Sequence, residues 1–519
     1  MAMGGTTETG DSLARTARNY DRLPYESRAF AASQPSRIGG IARAFGLEAA
    51  PLATARVLEL GCASGGNIIP HALRYPDARF VGIDLSSAQV EAGRTRIARL
   101  GLDNIDIRCE SLTAIGGELG VFDYIICHGV YSWVPAAVRD AIFRVIEERL
   151  SPIGIACVSY NVLPGWRMIQ PVHDAFRLDA QGDPDLPDRV ARARELLDFL
   201  AAATPDRGPY GDVLRGRAAA MAGLPDDYVA HEFLEEMSHP TTVRAFAAEA
   251  ARDGLCYLAD CDLGLSTLDN YGPDIAQQVR ARVKDDPVEV EQYLDLLTGR
   301  TFRQSILVSA GRLAGASRSV VRECIAPLHF LTDAGLQLLW NGSEPVLVDA
   351  GGRLLPLGST AVADGIARLI GQYPSSSSLA ACAPAGQAPL VEALHRMVLA
   401  GMASLSSEPL HAGRADDRDR PIAIAIARAD SVEGAGSTTN FRHEPVTLQA
   451  MSRLLLSALD GSRNRAALAE LLTQEVVAGR VAFTRDGVAV TDIAAIREMA
   501  AERVSALLVG FANAGLLEA

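Results

Sequence analysis

The stretch that decides the fold is Arg56-Val57-Leu58-Glu59-Leu60-Gly61-Cys62-Ala63-Ser64-Gly65-Gly66-Asn67. An apolar run of strand character stops in a glycine-rich turn and gives way to a helical pattern. Glycines at such a turn let the backbone approach a ligand that a Cβ would exclude. Working outward, Arg79-Phe80-Val81-Gly82-Ile83-Asp84 reads as a second strand ending on a carboxylate. Ser86 or Ser87 can cap the helix that runs on to Leu100. Ile105 to Cys109, Phe122 to Cys127 and Ile153 to Tyr160 supply three more strands, and Pro135 opens a helix reaching about Leu150. This alternation over residues 56–160 predicts an α/β, Rossmann-like domain, a parallel sheet with helices on both faces.

A carboxylate at the end of a second strand can accept both hydroxyls of a ribose. Dinucleotides and S-adenosylmethionine both use that geometry. The dinucleotide fingerprint needs a second glycine to admit a pyrophosphate, and Ala63 stands in its place. The loop also opens on Glu59, which repels pyrophosphate but suits the cationic amino group of a methionine moiety. S-Adenosylmethionine is the expected cofactor and S-adenosylhomocysteine the product.

The length of 519 residues suggests three or four domains. The net charge of −14 argues against binding a nucleic-acid backbone, which needs a basic footprint. Eight cysteines without a CxxC pair suggest neither a disulfide scaffold nor a zinc site. Met1 to Gly10 lack the pattern of a signal peptide, and no uncharged apolar run reaches the ~18 residues of a membrane span. A cytoplasmic protein is expected. Lys284 is the only lysine, which codon bias toward arginine explains, although a lysine-modifying enzyme would also gain from having few.

Along the chain, residues 1–50 form an N-terminal arm or lid, 51–182 the Rossmann-like domain and 183–374 a largely helical middle domain. In the middle domain Asp226 to Ala251 and Val288 to Phe302 read as helices, and Leu336 to Val348 as a hairpin. Residues 375–440 read as a linker and irregular segment, and 441–519 as a small helical or winged-helix-like module.

Four segments carry a narrower resemblance: Asn19-Tyr20-Asp21-Arg22-Leu23-Pro24-Tyr25-Glu26-Ser27, the glycine loop, His128-Gly129-Val130-Tyr131-Ser132-Trp133-Val134-Pro135, and Ser159-Tyr160-Asn161-Val162-Leu163-Pro164-Gly165-Trp166. With them the chain resembles the class I S-adenosylmethionine-dependent methyltransferases, and more narrowly the bacterial ones with an attached methyltransferase regulatory domain. That group includes the rickettsial outer-membrane-protein lysine methyltransferases. The likeness continues through His231-Glu232-Phe233-Leu234, Gln292-Tyr293-Leu294-Asp295, Arg300-Thr301-Phe302-Arg303-Gln304 and Asn440-Phe441-Arg442-His443-Glu444. The resemblance implies that Gly61, Cys62, Ala63 and Gly65 line the methionine part, with Glu59 and Asn67 beside them. It implies that Asp84 and Leu85 hold the ribose and that Ser111 and Leu112 flank the adenine. Ser111 departs from the acidic residue common at that position. His128 and Gly129 would stand where methyl donor meets acceptor.

Methyl transfer to nitrogen is an in-line displacement on a sulfonium, so much of the catalysis is alignment. A lysine acceptor must also lose a proton, at a cost of ~4.6 kcal/mol at pH 7. Tyr20, Tyr25, Tyr131, Trp133, Tyr160 and Trp166 can supply an aromatic, partly dry pocket if the arm folds over the cofactor, and His128 is a candidate proton acceptor. Each has a plainer alternative. Trp133 and Trp166 can brace the Pro135 and Pro164 turns, His128 can bond to backbone, and Cys62 can simply fit the loop. His231, Glu232 and His239 lack the i, i+4 histidine pair of a zinc helix, so no metal is expected. The expected function is N-methylation of protein lysines, the large appendage serving to dock a protein or peptide. The rivals are a small-molecule or peptide natural-product methyltransferase, whose extra domains set specificity or build a homodimer, and a non-catalytic S-adenosylmethionine-binding regulator.

Overall fold

The computed structural model describes residues 18, 20–179, 186–205, 208–235, 237–284, 286–314, 316–383, 388–485 and 488–519. Residues 1–17 and 19 of the expected arm lie outside them, as does the expected boundary at 182. The chain divides into two units, one of residues 1–27 and 41–320, the other of residues 28–40 and 321–519.

The first unit is built on a seven-stranded sheet of β1 (Arg56–Leu60), β2 (Arg79–Asp84), β3 (Ile105–Cys109), β4 (Phe122–Cys127), β5 (Leu150–Asn161), β6 (Leu255–Asp260) and β7 (Phe302–Ser309). The strand order is β3-β2-β1-β4-β5-β7-β6. The first five strands are parallel, while β7 runs antiparallel to β5, and β6 antiparallel to β7. From Val57 to Leu60 β1 is buried and apolar except for Glu59, as expected of a strand covered by helices on either side, while Arg56 at its start is exposed. The order reverses between β1 and β4, so the crevice beyond their carboxyl ends is where such sheets take a ligand. Gly61 follows one strand and His128 the other.

The helix Ser87–Leu100 starts as expected, with Ser86 Oγ accepting from the Gln89 N–H. One face of the sheet is sealed by Tyr131, Phe143, Tyr160 and Phe246. A separate helical cluster gathers Trp166, Phe176, Leu197, Leu214 and Phe233, with Leu23 and Trp133 packed on it.

Three expectations are corrected. The Rossmann-like sheet is not confined to 51–182, because β6 and β7, from residues expected in the middle domain, complete it. The helix expected over Asp226 to Ala251 is two helices, Asp226–Phe233 and Val243–Arg252. Residues 375–440 are not a linker. Ser377 and Ser378 pair with Phe330 and His329, and the helix Ala388–Leu399 buries Leu390, Leu394 and Met397.

In the second unit the expected hairpin pairs Gln337–Asn341 with Glu344–Val348. The C-terminal module has helices Ala450–Ala458, Arg465–Val477 and Ile493–Asn513 around a short two-stranded wing, Thr484–Arg485 with Val488–Ala489. Arg442 bonds Glu444, Asp333 and the Thr332 carbonyl and lies over the Tyr373 ring, so the Asn440 to Glu444 segment is structural.

Candidate functional site

Glu59 is buried near the end of β1. Asn67 Nδ2 donates to its Oε1 at 2.7 Å, and Oε2 is buried with no hydrogen-bond partner among the described residues. Burial pushes this carboxyl up to about 8, aided by the charge of Asp84 and opposed by the Asn67 bond. A carboxylate so placed needs a proton or a cationic donor, and the amino group of S-adenosylmethionine is such a donor.

Gly61 and Gly65 adopt φ of +76° and +81°. A Cβ on Gly61 would stand 2.2 Å from Val130 Cγ2, and one on Gly65 would meet Ile107 and Ile69 at 2.8 Å. The glycines therefore seat the loop against the domain itself, besides any ligand. Ala63 also has positive φ, +47°, and aims its N–H at Asp84 Oδ2, 2.7 Å away. Asp84 Oδ1 accepts from the Ser86 N–H at 2.9 Å. Cys62 fills the space left by Gly82, whose Cβ would lie 2.6 Å from Cys62 Sγ. Burial raises that thiol, so it is a space-filling group.

Leu85 follows Asp84, its carbonyl accepting from Cys109 Sγ. Ser111 Oγ caps a short turn, accepting from the Thr113 N–H and bonding Thr113 Oγ1 at 2.8 Å, with Leu112 next to it against the core. Gly129 donates its N–H to Ser159 Oγ at 2.8 Å. His128 Nδ1 lies 3.3 Å from Gln304 Nε2, and the ring meets Phe302 edge-on. Burial holds this imidazole down at about 4, so it is neutral at pH 7 with Nδ1 as acceptor for the amide. His128 is thus a weak candidate for proton acceptor.

The arm lies over this loop. Asp21 Oδ1 accepts from Ser86 Oγ at 2.6 Å and from the Ala88 N–H at 3.2 Å, at the start of the second crossover helix. The Tyr25 carbonyl accepts from Gln89 Nε2, and Ser27 Oγ takes the Gly66 N–H at 2.7 Å. On its other side His231 Nε2 bonds the Leu23 carbonyl at 2.6 Å. The Tyr20 ring stacks on His231 with centroids 4.1 Å apart, and Tyr25 meets the same ring edge-on at 6.3 Å. Burial, then the charges of Glu235 and Asp84, drive the Tyr20 phenol well above its ordinary value.

Tyr20, Tyr25, Asp84 and the glycine loop are therefore brought together. Tyr131 is not. It is fully buried between Phe143, Tyr160 and Phe246 with its hydroxyl on Glu249, so its expected place in an acceptor pocket is corrected to the core. Trp133 packs edge-on against Trp166 in the helical cluster, the bracing alternative. Sequence reasoning gave no role to Asp21, Ser27, Gln304 and Glu235, and weighed His231 and Glu232 only as metal ligands. All but Glu235 lie in the segments that carry the resemblance, and each acts across a long sequence separation.

Two expectations follow. Glu59 takes up its proton on folding, so the native state holds more protons than the unfolded chain between its ordinary value, 4.5, and about 8, and stability falls with rising pH over that window. Glu59→Gln should stabilise the ligand-free protein by roughly 3 kcal/mol at pH 7 in urea unfolding while weakening S-adenosylhomocysteine binding. Asp21→Ala should cost stability only about 0.5–1.5 kcal/mol but lower turnover about tenfold or more, because a misplaced arm misaligns the reactants. Unchanged turnover in the folded variant would remove the arm from the site.

A Rossmann-like sheet, a glycine loop at its switch point and a carboxylate closing β2 define a class I S-adenosylmethionine-dependent methyltransferase. Family models place a methyltransferase domain over residues 57–154, the predicted methyltransferase regulatory domain over 225–309 and the PKMT C-terminal winged helix domain over 419–516. The chain is 30% identical over 522 residues to an uncharacterized protein of Rickettsia prowazekii, covering 96% of this chain and 93% of that one. It is similar to the structure of PKMT2 from Rickettsia typhi in complex with AdoHcy, with TM-score 0.83, 25% identity and coverage of 95% and 100%. Over 190 residues, 34% of this chain and 68% of the other, it is 28% identical to trans-aconitate 2-methyltransferase of Methylobacterium radiotolerans. The chain belongs to the S-adenosylmethionine-dependent methyltransferases that carry the regulatory and PKMT winged-helix domains. It is an enzyme, and no helix among the described residues is long and apolar enough to cross a membrane.

Proposed function

We propose that this enzyme methylates the ε-amino group of lysine side chains in a protein acceptor. The observation that carries the reading is the junction of arm and glycine loop, where the rings of Tyr20, Tyr25 and His231 gather, Glu235 lies 3.4 Å from His231 Nδ1, and the charge of Asp84 reaches the Tyr20 phenol. An aromatic and acidic lining suits a primary amine, desolvating it and stabilising its cation. The likeness to a PKMT structure and the PKMT winged-helix model support the same reading. A tricarboxylate acceptor such as trans-aconitate would meet like charge there.

When bound, S-adenosylmethionine supplies a methyl group made electrophilic by its sulfonium. Glu59 would hold its amino group, Asp84 its ribose hydroxyls, Ser111 and Leu112 its adenine, and the backbone from Gly61 to Gly65 its methionine part. The arm excludes water. The appended domains dock the acceptor, and eight free thiols suit a reducing cytoplasm. The test uses the protein fraction of a host lysate with methyl-labelled S-adenosylmethionine. Acetylating the lysines of that fraction beforehand should abolish uptake of label, and undiminished uptake would exclude lysine.

A further inference from the structure

We propose that His231 is the latch that holds the N-terminal arm over the cofactor, a positioning residue whose loss lets the cofactor leave. The inference concerns cofactor retention and holds whichever acceptor is methylated.

The arm is anchored on both sides of the cofactor loop. On one side Asp21 Oδ1 accepts from Ser86 Oγ at 2.6 Å and from the Ala88 N–H at 3.2 Å, just past Asp84. On the other Ser27 Oγ accepts from the Gly66 N–H at 2.7 Å and lies 3.5 Å from the Cys62 carbonyl. Residues 22–26 therefore cross from the carboxylate that closes β2 to the glycine loop, the two features that take the cofactor. A ligand seated between them leaves only when this crossing opens, and its dwell time follows the free energy of that local opening.

The middle of the crossing is held from outside the loop. His231 Nε2 lies 2.6 Å from the carbonyl of Leu23, 208 residues earlier in the chain. A carbonyl can only accept, so Nε2 carries the proton. On the opposite side of the ring Nδ1 lies 3.4 Å from Glu235 Oε1, and Tyr20 stacks on its face with centroids 4.1 Å apart and planes at 16°. The ring is thus fixed from three directions, with only 4% of its side chain exposed. Pro24 disfavours helical backbone at Leu23, which helps aim the carbonyl, and the Leu23 side chain packs on the helical cluster of Trp166 and Phe233. The same helix, Asp226–Phe233, grips the arm a second time where the Glu26 N–H donates to Asp227 Oδ2 at 2.8 Å. That bond is exposed and exchanges readily with water, whereas a carbonyl stranded beside a buried ring has no such exchange. The His231 bond is therefore the stronger hold.

The test measures stopped-flow release of S-adenosylhomocysteine, and trypsin cleavage after the exposed Arg22, in wild type, His231→Phe and His231→Gln, with urea unfolding to establish that each is folded. His231→Phe keeps a ring for Tyr20 and removes the donor, so release and cleavage should each quicken about tenfold. His231→Gln loses the ring but places an amide N–H₂ where Nε2 stood, and should return release to within about threefold of wild type. Wild-type release in folded His231→Phe, or equal acceleration in the Phe and Gln variants, overturns the latch. If His231→Phe does not fold, Pro24→Gly reads the same bond from an exposed position on the arm by loosening the Leu23 carbonyl. Release quickened about threefold then supports the latch, and unchanged release overturns it.

Discussion

Asp84→Ala should weaken S-adenosylhomocysteine binding by roughly 10- to 150-fold, the ~1.5–3 kcal/mol of hydrogen bonds to a charged acceptor. Asp84 Oδ2 accepts from the Ala63 N–H and Oδ1 from the Ser86 N–H, and the about four lone-pair sites of a carboxylate leave room for ribose hydroxyls. The loss should fall toward the upper end, because the variant also strands the Ala63 N–H, which a positive φ turns toward Asp84. Asp84→Asn preserves the shape but must either turn its amide N–H₂ toward one of those donors or leave that donor without an acceptor, so it should be nearly as damaging. Calorimetry on the folded variants decides, and unchanged affinity in Asp84→Ala would remove Asp84 from the ribose.

The second large effect concerns stability. Arg303 on β7 is wholly buried, with Nη2 2.7 Å from Asp295, Nη1 bonded to Glu291, and Asp260 at 3.3 Å. Arg300 closes the group by pairing with Asp260 at 2.8 Å. Arg303→Leu leaves buried carboxylates uncompensated and should cost ~3–5 kcal/mol in urea unfolding. Without the guanidinium those carboxyls hold protons in the native state that they lose on unfolding. The variant's deficit should therefore shrink as pH falls from 8 toward 5. An equal deficit across that range would contradict this account. Because Phe302 and Gln304 flank Arg303 on the strand and reach His128, the network also fixes the floor of the site.

The five parallel strands, the Ser86 cap and the switch-point loop were legible because each is written in contiguous residues. β6 and β7 were not, since they join the sheet from far along the chain and border helical patterns. Residues 375–440 misled because Ser, Ala and Pro composition resembles a linker, whereas the serines there pair in a sheet and bond backbone, as where Ser377 pairs with Phe330 and Ser376 Oγ accepts from the Leu410 N–H. Tyr131 misled differently, because an aromatic residue beside His128 faces the core when the chain turns at Gly129, whose φ is +72°. The partners of Tyr20 were invisible because His231, in the last turn of the helix that ends at Phe233, and Glu235, just past it, come from far along the chain.

The most direct test of the central claim is to map the label. Enzyme, methyl-labelled S-adenosylmethionine and host lysate are incubated, and the protein and small-molecule fractions are separated and analysed by mass spectrometry. The account predicts discrete protein bands with the added methyl on lysine side chains. Label confined to the small-molecule fraction, or on protein at residues other than lysine, would contradict it.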